Sequence, residues 1–214
     1  MKRRLLWQTA VFASSLMMTF LLFQMPASAQ TIVDTWDAVK APPVPELKSV
    51  ILDSKATALF LLDFNKQTCN AERSPRCIAS LPKVQGLLEE ARSKGFTIIY
   101  SLSAGATSTD IARELAPRKG EPVVTAGPDK FMGTDLEKIL MDKGIKTVIV
   151  TGTAAHGAVL YTASGAAFRG MQVILPVDGM SAGDTYAEQY TAWHLANAPR
   201  VSSKVTLTKI DLIK

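Results

Sequence analysis

At 214 residues with 47% hydrophobic content, the chain can bury one substantial core and is too short for two ordinary domains joined by a linker. The formal charge of +5 includes Lys2, Arg3 and Arg4, and no acidic residue precedes Asp34. Setting those three aside leaves roughly +2, which removes the case for a basic surface that binds nucleic acid or membrane.

The first 29 residues read as a secretory signal: a basic start, an apolar stretch from about Ala10 to Phe23, and Ala27-Ser28-Ala29 as an A-x-A cleavage pattern. Cleavage after Ala29 and a periplasmic or secreted product are expected. The competing reading is an uncleaved anchor, because Leu5 to Met25 is nearly long enough to span a bilayer; Gln8, Thr9 and Pro26 argue against it. Residues 30–50 then form a lead-in arm with a short helix around Trp36, and residues 51–214 form the domain.

Thr57 to Leu62 is an unbroken apolar run ending at Asp63, as expected of a strand buried on both faces. The next stretch holds the chain's only cysteines, Cys69 and Cys77. In an oxidising compartment they form a disulfide that contributes on the order of 2–3 kcal/mol; free or metal-binding thiols are the alternative. Ser80 to Lys94 has helical spacing, with Leu81, Val84, Leu87, Leu88 and Ala91 on one face, Ser80 as N-cap and Gly95 as the stop. The alternation continues with a strand over Phe96 to Leu102, a helix over Thr109 to Leu115 and a short strand over Pro122 to Thr125. A helix over Asp135 to Lys143 follows, with Thr134 and Glu137 as its capping box.

Thr147 to Thr151 is a further buried strand, and Ala155 to Phe168 a helix of small residues. Met171 to Pro176 (strand), Asp184 to Ala196 (helix) and Lys204 to Ile210 (strand) complete the series. Strands alternating with helices predict an α/β single-domain fold: a largely parallel sheet of about six strands with helices on both faces, a Rossmann-like three-layer sandwich.

In such a sheet, ligands bind where loops leave the carboxyl ends of the strands, and three segments there carry informative residues. Asp63 follows a wholly apolar strand; it is either a general acid or base, or an N-cap or turn former. Lys130, in Asp129-Lys130-Phe131-Met132-Gly133-Thr134, is either solvated or an ammonium facing Asp63. Gly152-Thr153-Ala154-Ala155-His156-Gly157-Ala158 is a glycine turn into a helix whose N–H groups could hold an oxyanion. It also mimics a dinucleotide fingerprint, weakly, since it follows a late strand and the acid at a suitable distance, Asp178, precedes Gly179 in a turn-like stretch.

In this order the segments resemble the isochorismatase-like, cysteine hydrolase superfamily, from about Ala56 to Ile210. The matches are Asp63-Phe64-Asn65-Lys66, Lys130-Phe131-Met132-Gly133-Thr134, Gly152 to Val159, and Arg169-Gly170-Met171-Gln172-Val173 with Val177-Asp178-Gly179. The resemblance implies hydrolysis of amide or related C–N bonds by an Asp-Lys-Cys triad. Counting from these motifs, the family lysine falls at Thr125 and the cysteine at Ala158. Alanine has no nucleophile, so acyl transfer through that position is chemically excluded. Some members resembling isochorismatase proper lack the cysteine and hydrolyse a vinyl ether by protonation, a route that needs Asp63 and a cation, for which Lys130 is the candidate.

The catalytic candidates are therefore Asp63 and Lys130, with Phe64, Phe131, Thr153, Ala154, His156 and Gly157 as candidate substrate contacts. His156 either orients water or substrate or merely lines a helix end; His194 reads as a surface residue of the last helix. The segment after the second long strand, Ser101 to Thr107, has no histidine for the metal cluster of nicotinamidase-like members, so no metal is expected, and no cofactor. The expected partner is a small-molecule substrate or ligand, without nucleic acid or stable membrane insertion; a homo-oligomer stays open. Two other readings stand beside the hydrolase: a binding protein that kept the pocket and lost the reaction, and a nucleotide-dependent reductase.

Overall fold

A computed structural model describes residues 31–214; the expected export signal, residues 1–29, lies outside the described residues. The chain divides into two units between Ala41 and Pro42. In the first, a single helical turn, α1 (Ile32–Thr35), leads into a 3-10 turn at Trp36–Ala38. The Asp34 carboxylate accepts the Thr31 backbone N–H at 2.8 Å, which closes the start of that turn.

The second unit is built on a parallel sheet of seven strands. These are β1 (Thr57–Leu62), β2 (Thr97–Leu102), β3 (Val123–Thr125), β4 (Thr147–Thr153), β5 (Gln172–Pro176), β6 (Met180–Ser181) and β7 (Val205–Thr208). The order across the sheet is β3-β2-β1-β4-β5-β7, with β6 pairing β4 beyond the point where β5 leaves it. The chain therefore builds outward from β1 on one side, then crosses to β4 and builds outward on the other. The switch lies between β1 and β4, whose register aligns Leu62 with Gly152. Residues 48–52 also belong to this unit: Lys48 N–H donates to the Leu207 carbonyl and Val50 N–H to that of Leu212.

Period-two alternation sorts β1 into two cores. Ala58, Phe60 and Leu62 face one cluster and Leu59 and Leu61 the other. The first is covered by α3 (Leu136–Asp142), α4 (Leu160–Phe168) and α5 (Thr185–Asn197), the second by α2 (Pro75–Ser93). Every residue of β1 is buried, as its unbroken apolar run predicts.

Four local expectations are corrected. Helix α2 starts at Pro75 after an N-cap position at Ser74, so Ser80 and Pro82 lie inside it. Proline at the first helical position is favoured because its missing N–H has no partner there in any case. Cys77 consequently sits in the first turn of α2, and it is bonded to Cys69 in the preceding loop. The helix expected over Thr109 to Leu115 is instead two 3-10 turns, Ser108–Asp110 and Arg113–Leu115, separated by an antiparallel bridge from Ile111 to Asn65. Tertiary pairing with the β1 loop overrides a weak helical pattern there. At α3 the N-cap position is Asp135; the Thr134 hydroxyl donates to the Lys130 carbonyl at 2.6 Å and accepts the Leu136 N–H at 3.2 Å, but Glu137 pairs with Arg169, so the reciprocal half of the capping box does not form. The segment expected to start a helix at Ala155 opens with a wider π turn, Ala155–Val159, before α4.

Candidate active site

Asp63 is the first residue after β1. Its backbone N–H continues the parallel pairing by donating to the Ser101 carbonyl at 3.2 Å. The chain then turns with φ of +55° at Asp63, a left-handed conformation that Asp tolerates better than most residues. The Asp63 carbonyl accepts the Asn65 N–H at 2.7 Å and the Thr68 hydroxyl. This turn leaves the carboxylate buried at the sheet's carboxyl end, where residue exposure is only 6%.

Both carboxylate oxygens are engaged. The Ser101 hydroxyl donates to Oδ1 at 2.7 Å, and the Lys130 ammonium donates to Oδ2 at 2.7 Å. Lys130 is 1% exposed, and its Nζ also donates to the Ala126 carbonyl at 3.2 Å. Of its two sequence readings, the structure takes the inward one. Thr125, the position reached by motif counting, ends β3 exposed to solvent.

The inward turn of Lys130 is held from α4. The Thr162 hydroxyl, wholly buried, accepts the Lys130 backbone N–H and donates to the Pro128 carbonyl, both at 3.2 Å. A Cβ on Gly165 would lie 3.1 Å from both Asp129 Oδ1 and the Phe131 ring, so a small residue lets the loop lie close against the helix. The Arg169 guanidinium stacks over Phe131, 4.3 Å from its centroid, and pairs with Glu137 at 2.8 Å.

At the end of β4, Gly152 has φ of +147° and approaches β1 so closely that a Cβ would meet the Leu62 carbonyl oxygen at 2.5 Å. Glycine is needed here for strand approach, which accounts for the first residue of the apparent dinucleotide fingerprint. Asp178, the acid at the matching distance, accepts the Ile210 N–H at 2.9 Å and pairs with Lys83 at 2.9 Å. The Thr153–Ala154 peptide is cis. Thr153 is buried, its hydroxyl donating to the Ser181 carbonyl at 3.3 Å, whereas His156 is exposed and Ala154 and Gly157 are half-buried. Ala158 is 5% exposed and packs in the same core cluster as Leu62 and Phe131. The two cysteines are bonded to each other, so no thiol serves this site.

Phe64 and Phe131 pack into the two opposite cores. Ser101 and Thr68, the hydroxyls that hold Asp63, are absent from the sequence-derived candidates. Ser101 had a signal, as a polar residue in a buried strand; it aligns with Leu62, immediately before Asp63. On the outer side of the β1 loop, Asp110 accepts the Thr107 N–H at 2.7 Å and pairs with the Lys66 ammonium. Lys66 first, and then the Thr107 N–H, hold its carboxyl well below the usual carboxylate range. A separate groove of about 620 Å³ lies between residues 42–47 and α5, lined by Pro42, Val44, Leu47, Met180, Trp193 and other residues; Asp63 and Lys130 do not line it.

The family model for the isochorismatase domain matches residues 57–206. Among curated proteins, the chain is 33% identical over 117 residues to a secreted isochorismatase effector of Verticillium dahliae, covering 50% of this chain and 62% of that protein. It is 30% identical over 124 residues to an N-carbamoylsarcosine amidase of an Arthrobacter species, covering 45% and 47%. The matches thus span about half to three fifths of these relatives. The fold is similar to that of an isochorismatase family protein from Desulfovibrio vulgaris, with TM-score 0.67 and 19% identity over 73% of this chain and 95% of that one. It is also similar to N-carbamoylsarcosine amidase from Thermoplasma acidophilum, with TM-score 0.61 and 22% identity over 72% and 96%.

Proposed function

Since the chain belongs to the isochorismatase family of hydrolases, we propose that it is exported and hydrolyses a small carbonyl, amide or vinyl-ether compound without a covalent enzyme intermediate. Asp63 is its general acid and base and Lys130 the cation that organises it. The observation that carries this reading is the buried Lys130–Asp63 pair, in a chain whose motif-matched nucleophile position, Ala158, has no nucleophile.

A carboxylate has about four lone-pair sites, and Ser101 and Lys130 occupy one on each oxygen. Each oxygen keeps a site for water or substrate. In amide hydrolysis, water adds to the carbonyl carbon as Asp63 takes its proton, and Asp63 returns that proton to the departing nitrogen as the C–N bond breaks. In a vinyl ether, Asp63 in its protonated form instead gives its proton to the terminal alkene carbon, water adds to the oxygen-bearing carbon and returns a proton to Asp63, and the hemiketal that results expels the alcohol, which leaves with the hemiketal's hydroxyl proton. The backbone amides after Gly152 are the candidate donors to a developing oxyanion, with Thr153, Ala154, His156 and Gly157 as ligand contacts. Export is supported by the leader-like residues 1–29, by the disulfide and by the secreted relative; the compartment is the periplasm or the medium.

The test is turnover of a panel of vinyl ethers, amides and carbamoyl compounds by the mature protein and by Asp63→Asn. Loss of turnover in the variant is expected, and unchanged turnover removes the mechanism. The second reading, a binding protein, is favoured by the same alanine and by the low exposure of Asp63. Ligands that raise the melting temperature and are never consumed decide for it.

A further inference from the structure

The loop that follows Asp63 is closed by a covalent staple at Cys69. Thr68 donates its hydroxyl to the Asp63 carbonyl, and the next residue, Cys69, donates its N–H to the Asn65 carbonyl at 2.7 Å. Cys69 is bonded to Cys77, which is fully buried in the first turn of α2. A continuous path therefore runs from a 19-residue helix through the disulfide and Thr68 to the one carbonyl that sets the left-handed turn at Asp63.

We propose that Thr68 and the Cys69–Cys77 disulfide are positioning groups for Asp63, fixing the backbone turn that aims its carboxylate at Lys130. This rests on the reading of Asp63 as the working group. The physical reason is that a left-handed non-glycine residue persists only where its surroundings over-determine it. At Asp63 the side chain is held by Ser101 and Lys130, while the carbonyl is held by Asn65 and Thr68. The Asn65 bond is local and moves with the loop. Of the two bonds to this carbonyl, the Thr68 bond is the one referred to a rigid element, because the disulfide ties its neighbour to α2, just as Ser101 refers the N–H and the carboxylate to β2. The opposite wall of the loop is also fixed, by Ala112 N–H on the Phe64 carbonyl at 2.8 Å and Lys66 N–H on the Asp110 carbonyl at 2.9 Å. Release of the staple therefore loosens the turn without freeing the whole loop.

The experiment compares Thr68→Val, which keeps the shape and removes the hydroxyl, with Thr68→Ser, which restores it, and with the double variant Cys69→Ser, Cys77→Ser. Amide hydrogen exchange is read at Asp63, Asn65 and Cys69, with Val148 to Val150 of β4 as the internal reference, and the chemical shift of the Asp63 carboxyl carbon is read by NMR at neutral pH. Thr68→Val and the double variant should exchange about tenfold or more faster at the three loop amides with β4 unchanged, and the Asp63 carboxyl carbon shift should move. Thr68→Ser should match the parent in both. Unchanged exchange in Thr68→Val, an equal rise throughout β4, or a Thr68→Ser variant that behaves like Thr68→Val overturns the proposal. If the cysteine double variant does not fold, the Thr68 pair decides alone. Neither readout uses turnover, so a failure of the hydrolase reading and a failure of this one are separate results.

Discussion

The Lys130 ammonium and the Asp63 carboxylate lie 2.7 Å apart although 67 positions separate them in the chain, and their side chains are only 1% and 8% exposed. Removing one member of such a pair strands the other charge away from water. Lys130→Met should therefore destabilise the protein by about 3–5 kcal/mol, whereas adding Asp63→Leu to it should recover much of that loss. Urea unfolding of the two single variants and the double variant measures the coupling. A Lys130→Met cost indistinguishable from that of a surface substitution would mean that the pair is hydrated in solution.

The contact between β1 and β4 allows no side chain at residue 152. Gly152→Ala would place a Cβ 2.5 Å from the Leu62 carbonyl oxygen and 2.6 Å from the Leu62 Cβ, at φ of +147°. Both strands must separate at the point that carries Asp63 on one side and the residues leading to Ala158 on the other. The expected cost is roughly 2–4 kcal/mol from combined overpacking and backbone strain, read as a lower urea midpoint. The same substitution at Gly86, where a Cβ meets nothing within 4 Å, should not lower stability. Equal behaviour of the two variants would contradict the strand approach described here.

Acid should loosen the outer wall of the Asp63 loop. The carboxyl of Asp110 is held below its ordinary value by Lys66 and by the Thr107 N–H. A carboxyl with a depressed folded-state value contributes stability above its unfolded value, about 3.9, and loses it as pH falls toward the folded value. Urea midpoints should thus decline below about pH 4, where the unfolded chain takes up a proton more readily than the native one. Asp110→Asn should be less stable at neutral pH and should show a shallower decline. A parallel decline in parent and variant would assign the acid sensitivity elsewhere.

Much of the architecture was legible because it rests on local pattern. A wholly apolar run ending in Asp63 is a strand buried on both faces, and β1 is one. The spacing of Leu81, Val84, Leu88 and Ala91 marks the buried face of α2, and Gly95, with φ of +79°, marks its end. Local pattern misleads where a side chain has two competing partners. Thr134 accepts the Leu136 N–H at the start of α3, but Glu137, the other half of the expected box, turns to Arg169 instead. Thr109 to Leu115 had a helical pattern, but the stretch pairs with Asn65 across the loop. Motif counting placed the lysine position at Thr125, and the ammonium beside Asp63 comes from Lys130 on the following loop.

By itself the order of residues determined the α/β class, the family, the closeness of Cys69 to Cys77, and the absence of a nucleophile at Ala158, because each depends on composition or on neighbours along the chain. Only the tertiary structure decided which way Lys130 points and which hydroxyls hold Asp63. Those contacts join β1, β2, the loop after β3, and α4, and a side chain's direction follows from which distant backbone bonds close around it.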